Sequence, residues 1–145
     1  MSFFDQLGAL FAKYDVVGAF WVNVQLTFWA AIGSFVLGSV LALMRISPVP
    51  SLRFVGTAYV NAVRNTPLTI LMTLALLGVW TQFQLSFSTS FETNFFVYAV
   101  IVLSIYHASF VCEAIRSGVN TVPTGQAEAA RAIGLGVFPT ARHVI

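Results

Sequence analysis

The chain has 145 residues, of which 58% are hydrophobic and only 8% charged. Soluble domains carry about a quarter charged residues, so this composition excludes an ordinary soluble domain. The net charge of +2 is too small to suggest nucleic-acid binding, and the single cysteine, Cys112, excludes an internal disulfide and a thiolate metal site.

Residues 3–11 place Phe3, Phe4, Leu7, Leu10 and Phe11 at helical spacing, with Asp5 and Gln6 on the other side. The pattern predicts a short amphipathic helix lying on a membrane, with a disordered terminus as the alternative. Residues 1–12 lack a basic n-region, so the first span is expected to stay in the mature protein. No charge occurs between Asp15 and Arg45, which predicts a first span over residues 18–44. Within it Ala30, Ser34, Gly38 and Ala42 recur every fourth residue, a spacing that lets a neighbouring helix approach closely. Asn23, Gln25 and Thr27, near its start, suit interhelical hydrogen bonds better than a ligand role.

Pro48 and Pro50 then break the chain between Arg45 and Arg53. A helical pattern resumes over residues 53–64. Pro67 disfavours helix at Thr66, so a kink or restart is expected there. The second span is expected over residues 67–85, with Thr81 to Gln84 as its interfacial end and Ser86 to Ser90 as a loop. The third is expected over residues 94–112, between Glu92 and Glu113. Cys112, in an apolar stretch, reads as an inert buried thiol. His107 is the ionisable residue inside the third span. It suits either a neutral, hydrogen-bonded packing role or a place near a substrate path. No second histidine or carboxylate lies at ligand spacing, so neither a metal nor a cofactor is expected.

Three crossings would put residues 45–64 and 113–145 on one side. That side holds Arg45, Arg53, Arg64, Arg116, Arg131 and Arg142, while the other holds Lys13 with Asp5, Asp15 and Glu92. The positive-inside rule makes the arginine side cytoplasmic and the N-terminus external.

No Gly-x-x-x-x-Gly-Lys loop occurs, so the chain is not expected to bind ATP. No nucleophile–base set appears, and an enzyme in its own right is not expected. His143 reads as a solvated surface histidine.

The segment Thr121-Val-Pro-Thr-Gly-Gln-Ala-Glu-Ala-Ala-Arg-Ala-Ile-Gly134 differs from the rest in being short, alanine-rich and polar enough to lie outside a membrane. Thr121 or Thr124 suits an N-cap, Pro123 and Gly125 a helix entry, and Gly134 a helix stop. The predicted helix runs over residues 121–134. Glu128 can pair with Arg131 three residues on.

Gln126-Ala-Glu-Ala-Ala-Arg-Ala-Ile-Gly134 resembles the EAA motif of ABC-importer permeases. Gly125 before it, with Glu113-Ala-Ile-Arg-Ser-Gly118 upstream, resembles the polar amino-acid uptake family. Arg64-Asn-Thr-Pro-Leu68 is similar to that family's Arg-Gly-Thr-Pro-Leu, with Asn65 where glycine is common, a departure that bears on the local backbone. Taken with Thr57 and Tyr59, the similarity covers the chain beyond the N-terminal helix, and overall it is most like glutamate-uptake permeases.

The resemblance implies an all-α membrane protein, the three-span N-terminal part of a five-helix type I importer permease. It implies a cytoplasmic coupling helix, with Gly125, Gln126, Glu128, Ala129, Ala130 and Gly134 meeting a cytoplasmic ATPase subunit. Glu128 would pair with a basic residue of that subunit, a role compatible with local pairing to Arg131. Arg64, Thr66, Pro67 and His107 are the substrate-path candidates. Implied partners are ATP-binding cassette subunits, a second permease chain, an extracytoplasmic amino-acid-binding protein and membrane lipid. In the family motif an Ile-x-Leu-Pro follows; Val144 takes the Ile place, so the chain is expected to lack two further spans. Two other readings are a three-span scaffold or regulatory subunit, and a proton-driven exporter using Glu113.

Overall fold

The computed structural model describes residues 8, 10–134, 136, 139 and 140, and all regular structure among them is helical. The predicted N-terminal helix lies mostly outside the described residues; its end is helical over residues 10–13.

Helix α1 spans Val16–Ile46. Asp15 caps it, its Oδ1 accepting from the Gly18 amide at 2.9 Å. Its 31 residues measure roughly 46 Å, longer than a hydrocarbon core of about 30 Å. Pro48 follows the C-cap Ser47, and Pro50 opens α2, Pro50–Arg64, at a first-turn position where its missing N–H costs no bond. The chain restarts at Pro67 with α3, Leu68–Thr73, which continues as a π-helix over Leu74–Gln82. The axes of α2 and the α3 segment differ by 98°. Helix α4, Phe91–Asn120, is the second long apolar helix, and α5, Thr124–Ala132, follows it after a short turn.

Two helices, α1 and α4, are long and apolar enough to cross a membrane. The α2–α3 pair makes a third crossing if its two bent halves act together. The α3 segment alone, with 6 and 9 residues in its two parts, reaches roughly 22 Å. Helix α4 is longer than the expected 94–112 span, running to Asn120.

The four-residue repeat of small side chains decides how α1 and α4 meet. Ala30, Ser34, Gly38 and Ala42 are all buried, together with Leu41. A Cβ on Gly33 would meet Ser104, one on Gly38 would meet Val111 at 2.6 Å and the Ala108 carbonyl at 2.8 Å. Arg45 reaches Cys112 and Glu113. Partner numbers rise together along both helices, so α1 and α4 run parallel. The chain returns between them through α2 and α3, and α3 runs antiparallel to α4: Leu71 and Ile105 line one cavity with Val79 and Tyr98. Helix α2 closes one end, where Leu41, Ala42, Val60, Ala108 and Cys112 form the core. Cys112 is fully buried, as an inert core thiol would be.

The turn before α4 is held by Asn94, which is 3% exposed. Its Oδ1 accepts from the amides of Phe87 and Ser88, at 2.7 and 3.0 Å, and its Nδ2 donates to the carbonyls of Ser88 and Ser90. Tyr98 donates to the Leu85 carbonyl and stacks on Trp80. One expectation needs correction. Asn23 and Thr27 bond carbonyls of their own helix, at Ala19 and Asn23, because they are exposed and the nearest acceptors, already part of the helix ladder, are one turn back; Gln25 is exposed as well. Asn65 has φ −87° and ψ −2°, an ordinary right-handed conformation, so the backbone there does not require glycine.

Gly38→Leu is expected to lower stability by about 1–3 kcal/mol, because the new side chain meets backbone and a β-branched residue. Gly78→Ala, with open space around it, should be neutral or slightly stabilising. Thermal unfolding of the two variants in detergent tests the seam; equal melting points would sink it.

Candidate functional site

Three arginines converge on Glu113. Its Oε1 accepts from Arg45 Nη1 in a very close contact. Its Oε2 accepts from Arg116 Nε at 3.1 Å and Nη2 at 2.9 Å, a pairing one turn along α4. Arg64 Nη1 lies 4.0 Å from Oε1, beyond hydrogen-bond range, and its Cζ sits 5.3 Å from the Phe110 ring centroid. Arg45 is the most enclosed of the three and Arg64 the most open, at 12% and 44% side-chain exposure. The Tyr59 hydroxyl donates to the Ile105 carbonyl nearby, a second tie between α2 and α4.

The site therefore joins the C-terminal ends of α1 and α2 to the body of α4. Three guanidiniums face one carboxylate, so positive charge is in excess. Nothing in this set acts as a nucleophile, and among the described residues no three His, Cys, Asp or Glu side chains gather to hold a metal ion. What the arrangement can do is transmit force: moving α4 displaces a carboxylate that Arg45 of α1 hydrogen-bonds and that Arg64 of α2 faces at 4.0 Å.

The sequence-predicted residues divide into two places. Arg64 belongs to the Glu113 site. Thr66 donates to the Ala62 carbonyl at 2.8 Å and Pro67 caps α3, so both shape the bend rather than face a ligand. His107 lies one turn before Phe110 on an exposed side of α4, with Nδ1 2.9 Å from the Leu103 carbonyl.

Two turns of helix beyond Glu113, α4 ends at Asn120 and leads into α5. The expected 121–134 helix is shorter in the structure, Thr124–Ala132. Thr121 is not its N-cap: the Thr121 hydroxyl donates back to Gly118, serving the end of α4. Thr124 is the first helical residue itself. Gly125, Gln126, Glu128 and Ala129 are exposed, and Ala130 is buried. Gly134 has φ +84°, the left-handed stop that its place after the helix predicts. The predicted Glu128–Arg131 pair turns on the Arg131 side chain, which the structure does not describe, and His143 lies outside the described residues.

Glu113, offered by the sequence only as the acid of a proton-driven exporter, is the residue whose meeting with the arginines sequence reasoning missed. A signal existed: Arg45, Arg64 and Arg116 share one predicted side, and Glu113 is the acid at that end of the spans.

The family of binding-protein-dependent transport system inner membrane components matches residues 34–145. The chain belongs to this family. Among members of known sequence, this inner membrane component is 47% identical over 136 residues to the glutamate transport system permease protein of Corynebacterium efficiens, covering 90% of this chain and 60% of that protein. It is 36% identical over 116 residues to the probable glutamine ABC transporter permease protein of Bacillus subtilis, covering 80% and 50%. It is 32% identical over 153 residues to the glutamate/aspartate import permease protein of Escherichia coli K12, covering 94% and 60%. A crystal structure of an amino acid ABC transporter with histidines matches with a TM-score of 0.68 and 31% identity, over 83% of this chain and 53% of that one. The chain thus spans 50–60% of the length of these three curated relatives. Those relatives are transport permeases rather than enzymes.

Glu113→Gln should destabilise this inner membrane component by roughly 1–3 kcal/mol, since it removes the anion two charged donors contact. Adding Arg45→Gln should recover part of the loss, giving a coupling energy in a double-mutant cycle. Strict additivity in thermal melting would show the contact to be energetically idle.

Proposed function

We propose that the chain is the membrane-spanning permease part of an ATP-driven importer of polar amino acids, with glutamate the favoured substrate. The observation that carries this reading is α5 itself. In a chain of this family, a nine-residue helix with exposed Gly125, Gln126, Glu128 and Ala129 continues directly from the helix that bears Glu113. Small side chains let a partner surface approach closely, and Glu128 offers one acid to a basic residue on it. The substrate class is supported by relatives named as glutamate and glutamine permeases.

In this reading the chain crosses the membrane three times over the described part. The parallel course of α1 and α4, with α2 and α3 returning between them, supports that count. The arginine-rich ends face the cytoplasm and the N-terminus lies outside. ATP is bound and hydrolysed on separate ATP-binding cassette subunits. A second permease chain, the same or homologous, completes the path, and an extracytoplasmic amino-acid-binding protein delivers substrate.

The mechanism is conformational. ATP binding by the partner moves a bistable element only if the partner contacts it differently in two states. Helix α5 is a rigid lever of roughly 13 Å. Its motion enters α4, and at Glu113 it reaches Arg45 on α1 and Arg64 on α2. A shift of one packed helix against others, by small translations at an interface, is an established route for such switching.

Ala129→Asp places a second acid at an exposed position of α5, and it should reduce co-purification of the ATPase subunits about tenfold. Amino-acid uptake into reconstituted vesicles should fall with it. Undiminished association and uptake in this variant would remove the coupling role from α5.

A further inference from the structure

Helix α2 is set across the bundle rather than along it. Its axis makes 98° with the α3 segment, which runs antiparallel to α4. Its 15 residues cover roughly 22 Å. It crosses the end of α1 closely, since a Cβ on Gly56 would meet Arg45 Cγ at 2.8 Å. Gly56, Val60 and Val63 form the face turned to the bundle. The remaining faces differ from each other. Arg53 and Thr57 fall within about 20° of Arg64 around the helix, and Asn61 within about 60°. Phe54 and Val55 fall about 80° and 180° away from Arg64. Both are exposed, Phe54 at 73%, and Leu52 is exposed as well. A helix that crosses two spans with a basic edge beside exposed aromatic and aliphatic side chains suits the boundary between acyl chains and headgroups.

The charge on this edge is not used up within the described structure. Arg45 and Arg116 occupy the two oxygens of Glu113. Arg64 makes no hydrogen bond to that carboxylate and is the most exposed of the three arginines. Its guanidinium is held near the Phe110 ring, with Cζ 5.3 Å from the centroid. Arg53 is exposed, and among the described residues it makes no ion pair. Both guanidiniums thus have N–H groups to offer an acceptor. A phosphodiester presents the paired oxygens that a guanidinium fork matches. On a phospholipid it comes with acyl chains, which Phe54 and Val55 can meet. A soluble acidic partner would satisfy the arginines and leave those apolar side chains in water.

We infer that α2 is a lipid-facing helix that binds anionic phospholipid, Arg53 and Arg64 each taking one headgroup phosphate while Phe54 and Val55 enter the acyl region. Eleven residues separate the two arginines, roughly 16 Å along the helix, too far for one phosphate to bridge. The inference rests on the permease reading for a single point, that this end of the bundle meets the cytoplasmic leaflet.

The test uses the assembled permease–ATPase complex in phosphatidylcholine nanodiscs, with partner subunits prepared free of cysteine. Cys112 is fully buried, so bimane attached to an Ala58→Cys variant reports from an exposed position of α2. The probes are phosphatidylglycerol and phosphatidylcholine, each carrying the same spin-label quencher high on one acyl chain. Phosphatidylglycerol should quench at a concentration at least about tenfold lower than phosphatidylcholine needs. Arg53→Gln and Arg64→Gln, each added to this background, should cut that preference about fivefold. Added salt should weaken it. Lys13→Gln, at the opposite end of α1, should leave it unchanged. If Arg64→Gln does not assemble, Arg53→Gln, which lies outside the Glu113 site, decides. Equal quenching by the two lipids overturns the site, as does an undiminished preference in Arg53→Gln. No quenching by either lipid, as when a protein subunit covers α2, overturns it too, and so does reversal by an equal concentration of inorganic phosphate. Uptake of L-glutamate into vesicles is measured in parallel. Uptake without a lipid preference overturns the lipid site alone, and a lipid preference without uptake overturns the transport reading alone.

Discussion

Arg45, Arg64 and Arg116 reach Glu113 from positions as far as 68 residues apart in sequence, and the shared carboxylate is the side chain that draws them together. Three guanidiniums this close repel one another, more strongly where little water screens them. Glu113 offsets that repulsion and gives Arg45 and Arg116 directed hydrogen bonds. The rest of the described structure depends on where this point falls. It fixes how far α1 runs along α4 and where α2 must end. It lies two helical turns before the exit into α5.

The apolar seam and the charge site serve different ends. Small residues at Ala30, Ser34, Gly38 and Ala42 bring the α1 backbone against α4. In lipid such packing comes from van der Waals contact and not from the hydrophobic effect, since acyl chains are as apolar as leucine. That contact fixes distance but is weakly specific about sliding along the axis. The Arg45–Glu113 pair supplies what the seam lacks, a register mark at one end. At the other end Asn94 plays a comparable part for the loop between α3 and α4, gathering four backbone groups on one amide.

Much of this was legible in the sequence. The uncharged run from Asp15 to Arg45 announced α1, and the four-residue repeat announced which of its faces would be buried. Pro67 marked the restart at α3, whereas α2 begins at Pro50, three residues ahead of the helical pattern legible from residue 53, because proline tolerates the first turn of a helix. The left-handed Gly134 was readable for the same kind of reason. Other features were not legible. Asn23 and Thr27 turned to their own backbone, since a polar side chain cannot announce whether a neighbour will come within reach. The 98° bend between α2 and α3 depends on packing against α1 and α4, on which the local sequence is silent. The meeting at Glu113 needed a three-dimensional superposition of three helix ends.

The parallel course of α1 and α4 has an electrical consequence. Peptide dipoles in each helix add to about half an elementary charge at either end, negative at the C-terminus. Two parallel helices in a poorly screening medium therefore stack like poles together, and the antiparallel α3 beside α4 offsets part of that. Arg45 stands in the last turn of α1 and Arg64 in the last turn of α2. Each is thus the terminal counter-charge of its own helix as well as a neighbour of Glu113. The excess positive charge at the site is balanced in part by backbone, through partial charges spread over the unpaired carbonyls at two helix ends.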